Sequence, residues 1–263
     1  MSLNDIQKRK IPEIFIEKLR HKIDTWDFSR ASGNPFIDLT FGRYSNIKTF
    51  VHSAATGFGS IYETVARYIA DSNPTYVRVK KIKLEGKISP SEDAEVSRIA
   101  KKLEEDKIGS NYNDEVKSIY DADDSNLTET SIVIDLYLQD DNGKETFIEM
   151  KGPDPNKKEV RAAKKDLLRV VAIKKREYST VSDFKSGARV VFGITYNNKE
   201  PKRYNNWKVS PLFEDGRGMF VGEAFWDLLG GDGTWIDLLE IIPIINKTLY
   251  SEIDKKLKMI GTD

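Results

Sequence analysis

Residues 131–172 read SIVIDLYLQDDNGKETFIEMKGPDPNKKEVRAAKKDLLRVVA, and much of the architecture follows from them. Ser131–Leu138 is a β-branched, apolar run with strand character, and Thr146–Lys151 is a second. Between them Asp140-Asp141-Asn142-Gly143 has the chemistry of a hairpin turn, because Asn-Gly tolerates positive φ. The two strands are therefore expected to pair antiparallel. Lys157–Arg176 follows as a long basic helix, with Leu167, Leu168 and Val171 marking one buried stripe.

A period of two places Ile132, Ile134, Leu136 and Leu138 on one face of the first strand, and Val133, Asp135 and Tyr137 on the other. On the second strand Glu149 and Lys151 share a face. A hairpin centred near Asn142 sets Asp135 across from Glu149. An acid inside an apolar strand is costly to bury. Two carboxylates that close do not both ionise without a cation. A hard divalent ion, Mg²⁺ by default, held by Asp135 and Glu149 would resolve the repulsion. Lys151 would then orient an attacking water or neutralise charge developing on a phosphorane.

The flanking sequence fills in the rest. Asp5–Ile23 has helical apolar spacing, Ser29–Pro35 is a Gly/Asn/Pro-rich loop, and Asn46–Ala70 reads as a helix in two pieces around Gly57 and Gly59. Thr75–Leu84 is a strand, Ser91–Glu105 an amphipathic helix, and Ala188–Tyr196 another strand. Helices are expected at Gly222–Leu229 and from Thr234 onward, with an interruption near Pro243. There are no internal repeats or low-complexity linkers. The reading is a single α/β domain over residues 1–263, a central mixed sheet flanked by helices, with a core at about 46–200 and a helical C-terminal part at 220–260.

Composition excludes several chemistries. The 263 residues contain no cysteine, so disulfides, thiol nucleophiles and zinc ribbons are ruled out, and the two histidines, His21 and His52, cannot build a three-histidine zinc site. There is no Walker A loop; Gly230-Gly231-Asp232-Gly233 lacks the following Lys-Ser/Thr. No apolar stretch has the length of a membrane span, and Met1–Lys10 has no signal-peptide core, so a soluble, cytoplasmic protein is expected.

Forty-two bases balance forty-two acids, yet the charge is segregated. Lys151–Arg176 holds ten bases against three acids, while Glu85–Asp124 holds twelve acids against six bases. Lys157, Lys158, Arg161, Lys164 and Lys165, beside the carboxylates, are the expected phosphate contacts. Arg189, Arg203, Asn205, Asn206, Arg30, Asn34 and Arg43 are available to read base edges, and nothing in the sequence selects among them. Trp226 and Trp235 read as core anchors.

An acid in one strand, E-x-K on the next and a helix after it resemble the PD-(D/E)xK nuclease superfamily. FIEMKGPDPNKKEVRAAKKDLLRVVA resembles the E-x-K-x-P-x-P-N-K segment of type II restriction endonucleases of the TdeIII/MjaII type. HSAATGFGSIYETVARYIA resembles their upstream helix, and VGEAFWDLLGGDGTWIDLLEII their W-D-x-x-G-G signature, in the same order over much of Phe50–Ile242. The resemblance implies a restriction-endonuclease-like fold and a Mg²⁺-dependent homodimer that cuts double-stranded DNA at a short palindrome. It further implies GGNCC as the site, 5′-phosphate and 3′-hydroxyl ends, and a cognate DNA methyltransferase as functional partner. Asp135, Glu149 and Lys151 would be its catalytic residues. Glu63 has two readings: Ser60-x-x-Glu63 is a capping box at a helix start, and a Glu on this helix joins the metal site in the superfamily. Two other functions fit the same residues, a structure-selective repair nuclease and a DNA-binding module without catalysis.

Overall fold

The computed structural model describes residues 2–25, 44–106 and 109–260, with the side chains of 44–56, 106, 256–257 and 259–260 left aside. The loop at Ser29–Pro35, Arg30, Asn34, Arg43 and the side chain of His52 lie outside the described residues. The chain divides into two compact units, 67–231 and the combination of 1–66 with 232–263.

The larger unit is built on a five-stranded sheet. Its strands are β1 (Tyr76–Ile88), β2 (Thr128–Asp140), β3 (Glu145–Lys151), β4 (Ala188–Ile194) and β5 (Met219–Val221), in spatial order β1-β2-β3-β4-β5. The pairs β1–β2 and β2–β3 are antiparallel; β3–β4 and β4–β5 are parallel, so the sheet is mixed as expected. The turn closes as its chemistry dictates: Gly143 takes φ +82°, and Asp140 Oδ1 accepts from the backbone N–H groups of Asn142 and Lys144. Leu136 pairs with Ile148, the register that places Asn142 at the centre of the hairpin.

Helices α3 (Pro90–Asp106), α4 (Tyr112–Asp121), α5 (Lys157–Lys174), α6 (Val181–Gly187) and α7 (Glu223–Gly230) surround this sheet. α5 starts where Asn156 forms a reciprocal capping box with Glu159, just after Pro153 and Pro155. Its Val160, Ala163, Leu167, Leu168 and Val171 pack with Tyr137, Phe147, Val190, Phe192 and Ile194 of the sheet and with Val96, Val116 and Ile119 of α3 and α4. α7 covers the opposite face, where a Cβ on Gly193 of β4 would come within 2.5 Å of Phe225.

The period-two reading of β2 needs correction. Ile132 and Ile134 belong to the same cluster as Tyr137 and Phe147, whereas buried Leu136 and Leu138 do not. The cause is a β-bulge: β1 advances from Lys80 to Ile82 while β2 retreats from Tyr137 to Ile134. One extra residue at Asp135-Leu136 shifts the alternation, and Val133 is left 56% exposed.

The other unit contains α1 (Asp5–Thr25), α2 (Tyr44–Asp71) as far as Ala66, and α8 (Thr234–Ile260). Ile11, Phe15 and Ile23 of α1 are buried, Phe15 meets Tyr62 edge-on at 6.3 Å, and Asp237 of α8 accepts from the Leu3 N–H and pairs with Lys8. Two expectations fail here. α2 runs unbroken through Gly57 and Gly59. α8 runs unbroken through Pro243, because Leu238, Ile241, Ile245 and Leu249 keep one buried stripe across it while Pro243 faces outward.

Candidate active site

The bulge brings Asp135 to the level of the C-terminal half of β3. Asp135 Oδ2 accepts from the Met150 N–H at 3.0 Å and lies 3.7 Å from Lys151 Nζ, and its Oδ1 is 3.6 Å from Lys81 Nζ on β1. Lys151 Nζ donates to Glu149 Oε1 at 2.7 Å. The Asp135 and Glu149 side chains are only 12% and 14% exposed. Burial, reinforced by the charge of Asp135 and opposed by Lys151, pushes the Glu149 carboxyl up to about 7. Burial draws the Lys151 ammonium down, but the Glu149 and Asp135 carboxylates outweigh it, so its net displacement is upward.

The structure thus gathers Asp135, Glu149 and Lys151, three of the residues singled out from sequence. Glu63, half-buried, lies on the part of α2 assigned to the other compact unit. Its capping role is overturned: Ser60 is well inside α2 rather than at its start, and the Ser60 hydroxyl donates to the Gly57 carbonyl.

Sequence reasoning passed over Lys81, which stands opposite the bulge. Burial raises the carboxyl of Asp166 on α5, opposed by the charges of Arg169, Lys151 and Lys165. An acid in the middle of so basic a helix was the available signal for Asp166; Lys81 had none.

The basic helix itself is mostly neutralised within the chain. Lys157 and Arg161 share Glu104, Lys164 is buried against Glu115, Arg169 pairs with Asp93, and Lys175 and Arg176 converge on fully buried Glu92. Lys165 donates to the Ser97 hydroxyl, and Lys158 is exposed. All four of those acids come from α3 and α4, so the acidic segment is the partner of the basic one. Among the base-reading candidates, Arg189 donates to Thr146 Oγ1, Arg203 pairs with Asp215, Asn206 bonds Pro153 and Asp154, and Asn205 is exposed. Trp226 is a core anchor, its indole N–H bonded to the Thr195 carbonyl.

The donor set suits a hard cation. Among the described residues no cluster of three or more His, Asp or Glu is poised for a metal. Two carboxylates nevertheless match an ion that keeps several waters and takes its remaining oxygens from a substrate phosphate. The elevated Glu149 carboxyl points the same way, since a cation there would supply the missing counter-charge.

The family description of the type II restriction endonuclease HinfI matches residues 2–246. The chain belongs to that family. This HinfI-type protein is therefore a type II restriction endonuclease, a site-specific deoxyribonuclease with DNA as its substrate, in a class that generally uses divalent metal. The family match is of the HinfI type, and the TdeIII/MjaII type is what the sequence blocks resemble. It also sets aside the reading of a DNA-binding module without catalysis. Among curated relatives, the type II restriction enzyme HgiCII of Herpetosiphon aurantiacus is 29% identical over 282 residues, covering 98% of this chain and all of its own length. HgiEI and HgiBI of the same organism are 27% and 26% identical, over 80% of this chain and 76% of theirs. No solved structure matches significantly. Among the described residues no helix of the HinfI-type chain is long and apolar enough to cross a membrane.

Proposed function

We propose that this HinfI-type enzyme is a Mg²⁺-dependent nuclease of the PD-(D/E)xK superfamily that hydrolyses both strands of duplex DNA at a short palindrome, GGNCC being the first sequence to test. The observation that carries this reading is the convergence of Asp135, Glu149 and Lys151, with Lys151 Nζ 2.7 Å from Glu149 and 3.7 Å from Asp135. Asp135 and Glu149 would hold the ion. When bound, Mg²⁺ supplies Lewis acidity to the scissile phosphate and acidity to a coordinated water. Lys151, fixed by both carboxylates, donates hydrogen bonds to the attacking water and to the phosphoryl oxygens as negative charge builds on them. The water oxygen bonds to phosphorus, the bond to the 3′ oxygen breaks, and that oxygen takes a proton, leaving 5′-phosphate and 3′-hydroxyl ends. Glu63 stays a catalytic candidate on the family resemblance alone.

Symmetric cutting of a palindrome calls for two active sites, hence a homodimer. Such an activity in a prokaryotic cytoplasm calls for a cognate methyltransferase to protect host DNA.

Digestion of unmethylated, amplified linear DNA with Mg²⁺ and with EDTA, comparing wild type with Lys151→Ala, tests the reading. Discrete Mg²⁺-dependent fragments that vanish in the variant are expected. Fragments that persist in EDTA or in Lys151→Ala would overturn it, and preference for flaps or junctions would favour a structure-selective nuclease instead.

A further inference from the structure

We propose that the outer edge of the sheet, strand β1, is the track that holds the sugar–phosphate backbone of the DNA substrate. This deepens the nuclease reading and rests on DNA being the substrate. The sequence of β1, YVRVKKIKLEGKI, carries Arg78, Lys80, Lys81, Lys83 and Lys87 against one acid, Glu85, and all five bases are exposed. Lys157, Arg161, Lys164 and Arg169 of α5 are matched by acids from α3 and α4, whereas no helix acid pairs with Arg78 or Lys80 of β1 among the described residues. Lys83–Glu85 and Lys87–Glu129 are open surface pairs that contribute little and exchange readily for a phosphate. For Arg78 and Lys80 no carboxylate lies within ion-pair distance among the described residues; Lys80 stands over the Tyr137 ring at 5.9 Å.

Along this edge runs a groove of about 440 Å³, lined by Arg78, Lys80, Lys81 and Lys83 and floored by Tyr137 and Phe147. Two acids also line it. Glu85 is held by Lys83, and the Glu145 carboxylate is engaged by Lys174 and by the hydroxyls of Tyr137 and Tyr178. The groove therefore presents a surplus of positive charge. Its position is the second argument. Lys81 stands across from the bulge at 3.6 Å from Asp135, so the row of bases passes the carboxylates at strand distance. From Arg78 to Lys83 is five residues, about 17 Å of strand, or about half a turn of duplex. A backbone laid along β1 is thereby delivered to Asp135 and Glu149.

The test uses the full chain in EDTA and a fluorescein-labelled duplex of roughly 30 bp, titrated by anisotropy between about 50 and 200 mM KCl. The variants are Arg78→Gln/Lys80→Gln on β1 and Lys157→Gln/Lys158→Gln on α5, with thermal melts confirming that each is folded. Lys81 is spared because it touches Asp135. Removing two phosphate contacts lowers the slope of log K against log salt by about 2. The β1 pair should show that loss with about tenfold weaker binding, and the α5 pair should stay close to wild type. An unchanged slope and affinity in the β1 pair overturns the proposal, as does loss confined to the α5 pair. Unchanged binding with new aggregation also overturns it, and would make these bases guards of an edge strand. Mg²⁺-dependent cutting by wild type, assayed separately, reports on the nuclease reading whichever way the salt slopes fall.

Discussion

Replacing Glu149 by glutamine should make the metal-free protein more stable, and by an amount that depends on pH. The Glu149 carboxyl is pushed by burial and by Asp135 from an ordinary value of 4.5 up to about 7. A carboxyl whose pKa is raised on folding keeps its proton in the native state after the unfolded chain has released it. Its contribution to stability is therefore full below pH 4.5, declines between pH 4.5 and 7, and is lost above 7. The displacement corresponds to about 3 kcal/mol at 1.36 kcal/mol per pH unit. The Glu149 side chain is 14% exposed, so solvent screens little of this. Glutamine is a neutral isostere that needs no such proton, and Lys151 keeps Asp135 at 3.7 Å as a partner. Urea unfolding in EDTA, followed by tryptophan fluorescence, should give variant and wild type nearly equal stability at pH 4.5. At pH 8 the variant should lead by about 3 kcal/mol, roughly 10 °C in Tm for a chain of this size. Mg²⁺ at pH 8 should narrow the gap by stabilising wild type alone. A difference that is the same at both pH values, or a variant weaker at pH 8, would refute the account of a carboxylate strained by burial.

Glu115→Ala should cost about 3–5 kcal/mol, because it leaves Lys164 charged and enclosed, with burial already drawing its ammonium down. The double change Glu115→Leu/Lys164→Met should recover most of that in the same unfolding assay, and a DNA salt slope unaltered by it would show that Lys164 does not touch phosphate. Asn156→Ala removes the reciprocal cap of α5 and should lower stability by about 1 kcal/mol, read as a small drop in the urea midpoint.

What could be read in the sequence was local. The turn Asp140–Gly143 fixes the hairpin register, and with it the meeting of Asp135, Glu149 and Lys151, because a turn of that chemistry leaves one pairing. The start of α5 was equally plain from its prolines and its capping residues. What escaped were features set by partners distant in the chain. The bulge at Asp135 exists only relative to β1, and the neutralisation of α5 by Glu92, Asp93, Glu104 and Glu115 requires α3 and α4 to dock upon it. Local breakers misled in the opposite direction: Gly57, Gly59 and Pro243 all sit inside continuous helices, where packing outweighs an intrinsic preference of about 1 kcal/mol for Gly and about 3 for Pro. β5, three residues long, offers no periodicity to detect.

The extra residue in β2 also makes strand length a heritable constraint. On the Thr128 side of Asp135, Ile132 and Ile134 point toward α5; beyond it, Leu136 and Leu138 point to the opposite face. An in-frame loss of one codon between Ile134 and Tyr137 would erase the offset and join the two halves in a regular strand, with no space at the junction for a side chain aimed at β3. Substitutions along β2 keep that offset, whereas a single-codon deletion between Ile134 and Tyr137 removes either Asp135 itself or the offset that aims it.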